Sequence, residues 1–128
     1  MAKKFTFRGK SLEELKSLTV DEFTGLIKSR ARRSLKRATV RFRKLLEKIK
    51  KGKANGKIIK THVRDAVILP DWVGLKFGIH NGKEFKTIEI KEDMVGRRLG
   101  EMSHTTGRVL HSGPGVGATR GSKFIPLK

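Results

Sequence analysis

Cysteine is absent from the 128 residues, and tyrosine with it. Without a thiol there is no disulfide framework, no cysteine-ligated zinc and no thiolate nucleophile, and the chain is expected in a reducing, cytoplasmic compartment. Acidic residues are scarce as well, 12 Asp and Glu against 31 Lys and Arg. The seven acids of residues 65–128 form no pair beyond Glu92-Asp93, which the start of a helix explains better than a catalytic site does. His62, His80, His104 and His111 show neither helical i,i+4 spacing nor a carboxylate at a ligand-like interval, so surface or base-stacking roles are expected of them. The glycines of Gly113-Pro-Gly-Val-Gly117 and Gly121-Ser-Lys123 miss both the Walker and the dinucleotide spacing. No enzyme activity, cofactor or metal is expected. No apolar run approaches the roughly 18 residues that span a bilayer, and the single Trp lies outside the basic helices that docking on lipid would need.

What is abundant is positive charge, a formal +19. Self-repulsion of that size opposes compaction and is relieved by a polyanion, so nucleic acid is the expected partner. The charge is lopsided: residues 1–64 carry 21 Lys/Arg and 5 acids, whereas residues 65–128 carry 10 and 7. Residues 28–53 alone hold 13 cations and one acid, Glu47. Ser11-Leu-Glu-Glu14 and Thr19-Val-Asp-Glu22 both fit the reciprocal capping box, and Leu18 with Phe23 adds a hydrophobic staple, which predicts a helix from about residue 20 to 28. Over Ser34–Lys51, Leu35, Ala38, Phe42, Leu45, Leu46 and Ile49 fall on one face of a helix. Arg37, Arg41, Lys44, Lys48 and Lys51 fall on the opposite face as a single basic rail. The rail lacks the opposite-charge i,i+4 partners of a merely solvated surface, which favours contact with RNA or DNA. Arg30, Arg33, Arg37, Arg41, Lys44 and Arg64 are candidate contacts on charge and face alone.

Gly52-Lys-Ala-Asn-Gly56 is expected to end that helix, and Lys57–Thr61 to form a short strand. Asn81-Gly82 between two alternating segments predicts a hairpin with a two-residue type I′ turn, which places Gly78 opposite Phe85. Glu92–Val95 opens a short helix that Gly100 closes, with Arg97 and Arg98 near its end. Trp72, between Pro70 and Gly74, is expected at a core corner. From Ser103 onward there are five glycines, two prolines and no acid, an extension suited to lie along a nucleic-acid backbone through Arg120 and Lys123. The fold class is therefore α+β: a helical basic N-terminal region (1–56), a small antiparallel or mixed β-sheet core with one short helix (57–111), and an extended tail (112–128). A free-standing DNA-compacting protein is the alternative to an RNA-binding one.

One pattern is more specific. Asn81-Gly82-Lys83, then Ile90, then Val95-Gly96-Arg97-Arg98-Leu99-Gly100-Glu101-Met102 and Thr105 resemble the signature of the universal small-subunit ribosomal protein S-nineteen family, called S-fifteen in eukaryotes. Ile68-Leu69-Pro70-Asp71-Trp72-Val73-Gly74 is similar to the lead into that family's hairpin. The helical N-terminal third and the end Gly115–Lys128 resemble the archaeal and eukaryotic branch. Lys91 stands where bacterial members commonly have a capping hydroxyl. The resemblance implies a non-enzymatic protein in the head of the 30S subunit, bound to the 3′ domain of 16S ribosomal RNA. Its expected neighbours are the S-thirteen family protein and tRNA near the C-terminal tail, with no membrane and no second copy of itself. Carried over by position, it implies RNA contacts at His80, Asn81, Lys83, Arg97, Arg98 and Arg108.

Overall fold

The two capping boxes start the first two helices. Ser11 caps α1 (Leu12–Ser17) and Thr19 caps α2 (Val20–Leu26), each with its hydroxyl toward the N3 amide and the N3 glutamate turned back to the cap's own N–H. In the second box the Thr19 amide donates to Glu22 at 2.9 Å and the Thr19 hydroxyl at 3.0 Å. These two bonds, the amide first, hold the Glu22 carboxyl below the ordinary glutamate range. Their residues belong to a computed structural model that describes residues 4–109.

The amphipathic stretch expected as one helix over Ser34–Lys51 is two. α3 runs Ser29–Lys36 and α4 runs Val40–Asn55, and Thr39 caps α4 by accepting from the Phe42 amide. The hydroxyl at residue 39 competes for the backbone just where a continuous helix would have needed Thr39 inside it. The apolar stripe divides with the helices: Leu35 joins one core cluster, Leu45 and Ile49 the other, and Phe42 packs against both. α4 passes through Gly52 and ends at Gly56 in the left-handed conformation.

The three-stranded sheet has the order β1 (Ile59–Thr61), β2 (Lys76–His80), β3 (Phe85–Glu89), with β1 parallel and β3 antiparallel to β2. The hairpin is present but its turn is longer than expected. His80 pairs with Phe85, so four residues make the loop, and of Asn81 and Gly82 only the glycine has positive φ, at 99°. The Asn81 carboxamide explains the difference: its Oδ1 accepts from the amides of Lys83 (2.9 Å) and Glu84 (2.8 Å), folding the loop around the side chain. The register moves by two residues relative to the expectation, which preserves the faces. Gly78 consequently faces Thr87 and not Phe85, and a Cβ there would lie 3.2 Å from Lys60 Cγ.

The short helix expected from Glu92 to Gly100 is also divided, into 3-10 turns at Glu92–Met94 and Leu99–Met102. Gly96, at φ +79°, reverses the chain between them, and a Cβ there would meet the Phe7 ring at 3.1 Å. Arg97 and Arg98 thus lie on an extended segment: the Ile68 amide donates to the Arg97 carbonyl, Leu99 to Ala66, and Gly96 to Ile68.

Two apolar clusters hold the elements together. The first gathers Leu45 and Ile49 of α4, Ile59, Phe77 and Ile79 of the sheet, and Ile68, Ile90, Leu99 and Trp72, the last buried in a 3-10 turn at Pro70–Trp72 as expected. The second gathers Leu15, Phe23 and Ile27, Ala31 and Leu35 of α3, and Val67 and Val95. Phe77, Ile79, Ile68 and Leu99 have no exposed surface, and each such side chain contributes roughly 1.5–3 kcal/mol relative to leaving it in water. Both clusters draw on chain before and after residue 56. No helix among the described residues is long and apolar enough to cross a membrane.

Candidate nucleic-acid interface

α3 places its residues on two faces. Ala31 and Leu35 pack inward against Val67 and Val95, while Arg30, Arg33 and Arg37, spaced i, i+3, i+7, share the outward side. The extended segment at Arg98 runs beside them, because its pairing with Val67 ties it to the strand-like stretch on which α3 rests. The Arg98 guanidinium donates to Ser34 Oγ at 3.1 Å, and Ser34 in turn donates to the Arg30 carbonyl at 3.1 Å. The product is a groove of about 310 Å³ lined by Arg30, Arg33, Ser34, Arg37 and Arg98. Four guanidinium groups with no carboxylate in the lining are costly to bring together, and an anion that enters gains charge-assisted, fork-shaped hydrogen bonds from each. A second groove continues from it past Arg97, Lys28 and Arg8, with an apolar floor that includes Phe7 and Ile27, and Glu101 at its edge.

Arg41 and Lys44 lie exposed on α4 with Lys48 and Lys51, but Arg37 closes α3 and so is not part of that row. The basic rail is therefore split between two helices. His80, Asn81 and Lys83 stand together at the hairpin end; Lys83 is exposed, whereas Asn81 is half-buried with its carboxamide oxygen committed to the loop. Arg108 is exposed beyond the last 3-10 turn. Arg120 and Lys123 lie outside the described residues.

Arg64 is placed differently from the others. Its guanidinium reaches three backbone carbonyls, those of His80 (2.5 Å), Gly100 (2.8 Å) and Ser103 (2.6 Å). It thereby joins the hairpin to the final 3-10 turn.

Two features escaped sequence reasoning. Arg32 turns away from the groove and donates to the carbonyls of Thr24, Gly25 and Ile27 at the end of α2, a cation where the helix dipole favours one. Its helical phase, about 160° from Arg30 by the shorter way round, was the available signal. The other is a group of rings, His62, His80 and Phe85, that depends on the hairpin register and on the approach of β1, neither of which local pattern specifies.

Comparison with known proteins places this geometry in context. The family model described as ribosomal protein S19 matches residues 33–111. A protein named small ribosomal subunit protein uS19 from Saccharolobus solfataricus is 50% identical over 98% of this chain and 93% of its own length. One of the same name from Methanococcus maripaludis, strain DSM 14266, is 49% identical over 97% of this chain and 81% of its own length. The matched region includes Arg33, Arg37 and Arg98 of the groove together with the whole sheet, and the chain belongs to the ribosomal protein S19 family.

Proposed function

We propose that the chain is a structural constituent of the small ribosomal subunit and that it is held in the subunit head on the 3′ domain of 16S ribosomal RNA. The observation that carries the reading is the acid-free groove of Arg30, Arg33, Arg37 and Arg98 on a chain of this family. Guanidinium groups fixed to a helix and to a paired extended segment have less freedom to lose on binding phosphate than those on a mobile arm. The α4 row with Arg41 and Lys44, the hairpin end with Lys83, and Arg97 and Arg108 widen the contact. In this reading the chain supports subunit assembly and translation beside the S-thirteen family protein, as one copy per subunit. Its segment from Gly113 to Lys128, with Arg120 and Lys123, reaches toward tRNA.

The experiment is binding of the full chain to separate transcripts of the 16S RNA domains across a range of salt. Tighter binding to the 3′ domain than to the others, retained as salt rises, supports the proposal. Equal affinity for all transcripts and for duplex DNA would instead point to the non-specific electrostatics of a DNA-compacting protein.

A further inference from the structure

The outer face of the sheet carries chemistry that the arginine groove does not use. Ile59, Phe77 and Ile79 are buried against the core, so the alternating residues Lys60, Gly78 and His80 point the other way. Phe85, paired with His80, shares that face and is 36% exposed. His62, one residue beyond β1, is exposed, and its ring stacks on His80 with centroids 4.5 Å apart and planes tilted by 32°. Phe85 stands edge-on to both imidazoles, 5.0 Å from His62 and 4.8 Å from His80. The Lys60 ammonium lies 5.6 Å from the centre of the Phe85 ring.

His80 is oriented by the hairpin loop. The Gly82 amide donates to His80 Nδ1 at 3.0 Å, a bond that requires Nδ1 to act as acceptor and puts the N–H of the neutral ring on Nε2. The imidazole is thus held in one orientation, and exposed His62 lies against it. Cations stand beside them, since Lys60 belongs to the group and the hairpin loop adds exposed Lys83. Flat rings on an exposed sheet with cations at the margin suit a base that is not already stacked in a duplex, with its phosphate held by an ammonium.

We propose that His62, His80 and Phe85 form a stacking platform for an unpaired base of single-stranded RNA, with Lys60 at the flanking phosphate. The inference rests on the ribosomal RNA reading above and specifies the kind of RNA element that meets this face.

The test titrates the full chain with a short single-stranded oligoribonucleotide carrying 2-aminopurine, and with an abasic oligonucleotide of the same length. Wild-type protein should bind the base-bearing probe more tightly and quench its fluorescence. His62→Ala with Phe85→Leu should weaken that binding roughly 5- to 150-fold, the range expected for removal of one base stack, and abolish the quenching. The salt dependence should stay the same, because every Lys and Arg is retained. Equal binding of the abasic probe by both proteins reports that the variant is folded with its basic surface intact; if the double variant fails to bind that probe too, His62→Ala alone repeats the comparison. Unchanged affinity and quenching in the variant, or wild-type binding that does not distinguish the two probes, overturns the platform. Either failure, in a protein that still co-sediments with small subunits, removes the platform alone; absence of co-sedimentation removes the reading beneath it.

Discussion

Arg98 and Ser34, 64 positions apart in sequence, are joined by a 3.1 Å hydrogen bond from guanidinium to hydroxyl. The bond connects the segment after Gly96 to the outer side of α3 and aims Arg98 along the row of Arg30, Arg33 and Arg37. Ser34→Ala removes the acceptor and leaves every cation in place. Because the hydroxyl's own bond to the Arg30 carbonyl goes as well, it should cost about 0.5–1.5 kcal/mol of stability for each bond lost, and weaken RNA binding severalfold with the salt slope unchanged. Parallel urea unfolding and filter binding would check both.

Arg30 and Arg33 make the complementary case. Replacing both by Ala should leave the fold intact, because both side chains line the groove and neither belongs to the apolar clusters. The slope of log affinity against log salt should shrink by roughly 0.7–0.9 for each phosphate that is no longer neutralised. A slope equal to that of the wild type would mean that these arginines touch no phosphate.

Arg64→Lys should destabilise the protein while altering RNA binding little at temperatures where it remains folded. An ammonium cannot span the His80, Gly100 and Ser103 carbonyls that the guanidinium fork reaches. The destabilisation should be on the order of 2–3 kcal/mol, visible as a lower melting temperature. A variant with wild-type stability and weakened RNA binding would reassign Arg64 to the interface.

Glu22 gives the first helices an acid-sensitive element. Its folded-state pKa lies below the ordinary 4.5 because of the Thr19 amide and hydroxyl. A depressed carboxyl contributes stability that is present above the unfolded pKa and is lost as pH falls through the folded one. Protection of the α2 amides should therefore weaken on acidification below about pH 4.5, and Glu22→Gln should flatten that part of the profile. Hydrogen exchange as a function of pH would show it.

Local signals were legible in the sequence and long-range ones were not. Both capping boxes are read from four residues each, and they stand as expected because their bonds close within one helical turn. The faces of the hairpin were also legible, since a two-residue change of register preserves them. The break at Thr39 was obscured because Leu35 and Leu45 keep helical phase although they serve different clusters. Asn81 permits either a tight turn or a side-chain-closed loop, and the choice depends on pairing further along the strands. Charge showed which stretch is basic, but not that Arg32 caps α2, that Arg64 binds carbonyls, or that Arg98 comes to α3. Those facts depend on tertiary packing: of α3 against α2, Val67 and Val95 for Arg32 and Arg98, and of the hairpin against the Leu99–Met102 turn for Arg64.

The segment Gly113–Lys128, outside the described residues, has no acid and includes Arg120, Lys123 and Phe124-Ile-Pro-Leu127. Removing it should leave folding of the rest and entry into small subunits unaffected while impairing tRNA binding or fidelity. Normal translation by subunits carrying the truncated chain, or failure of that chain to fold, would contradict this.

Sedimentation after a high-salt wash decides whether the chain is a fixed part of the small subunit seated on its RNA. One copy of the wild-type chain should stay with each 30S particle, and occupancy should fall when Arg30, Arg33, Arg37 and Arg98 are replaced together. Release of the wild-type chain in the wash, with transfer to duplex DNA of any sequence, would contradict it.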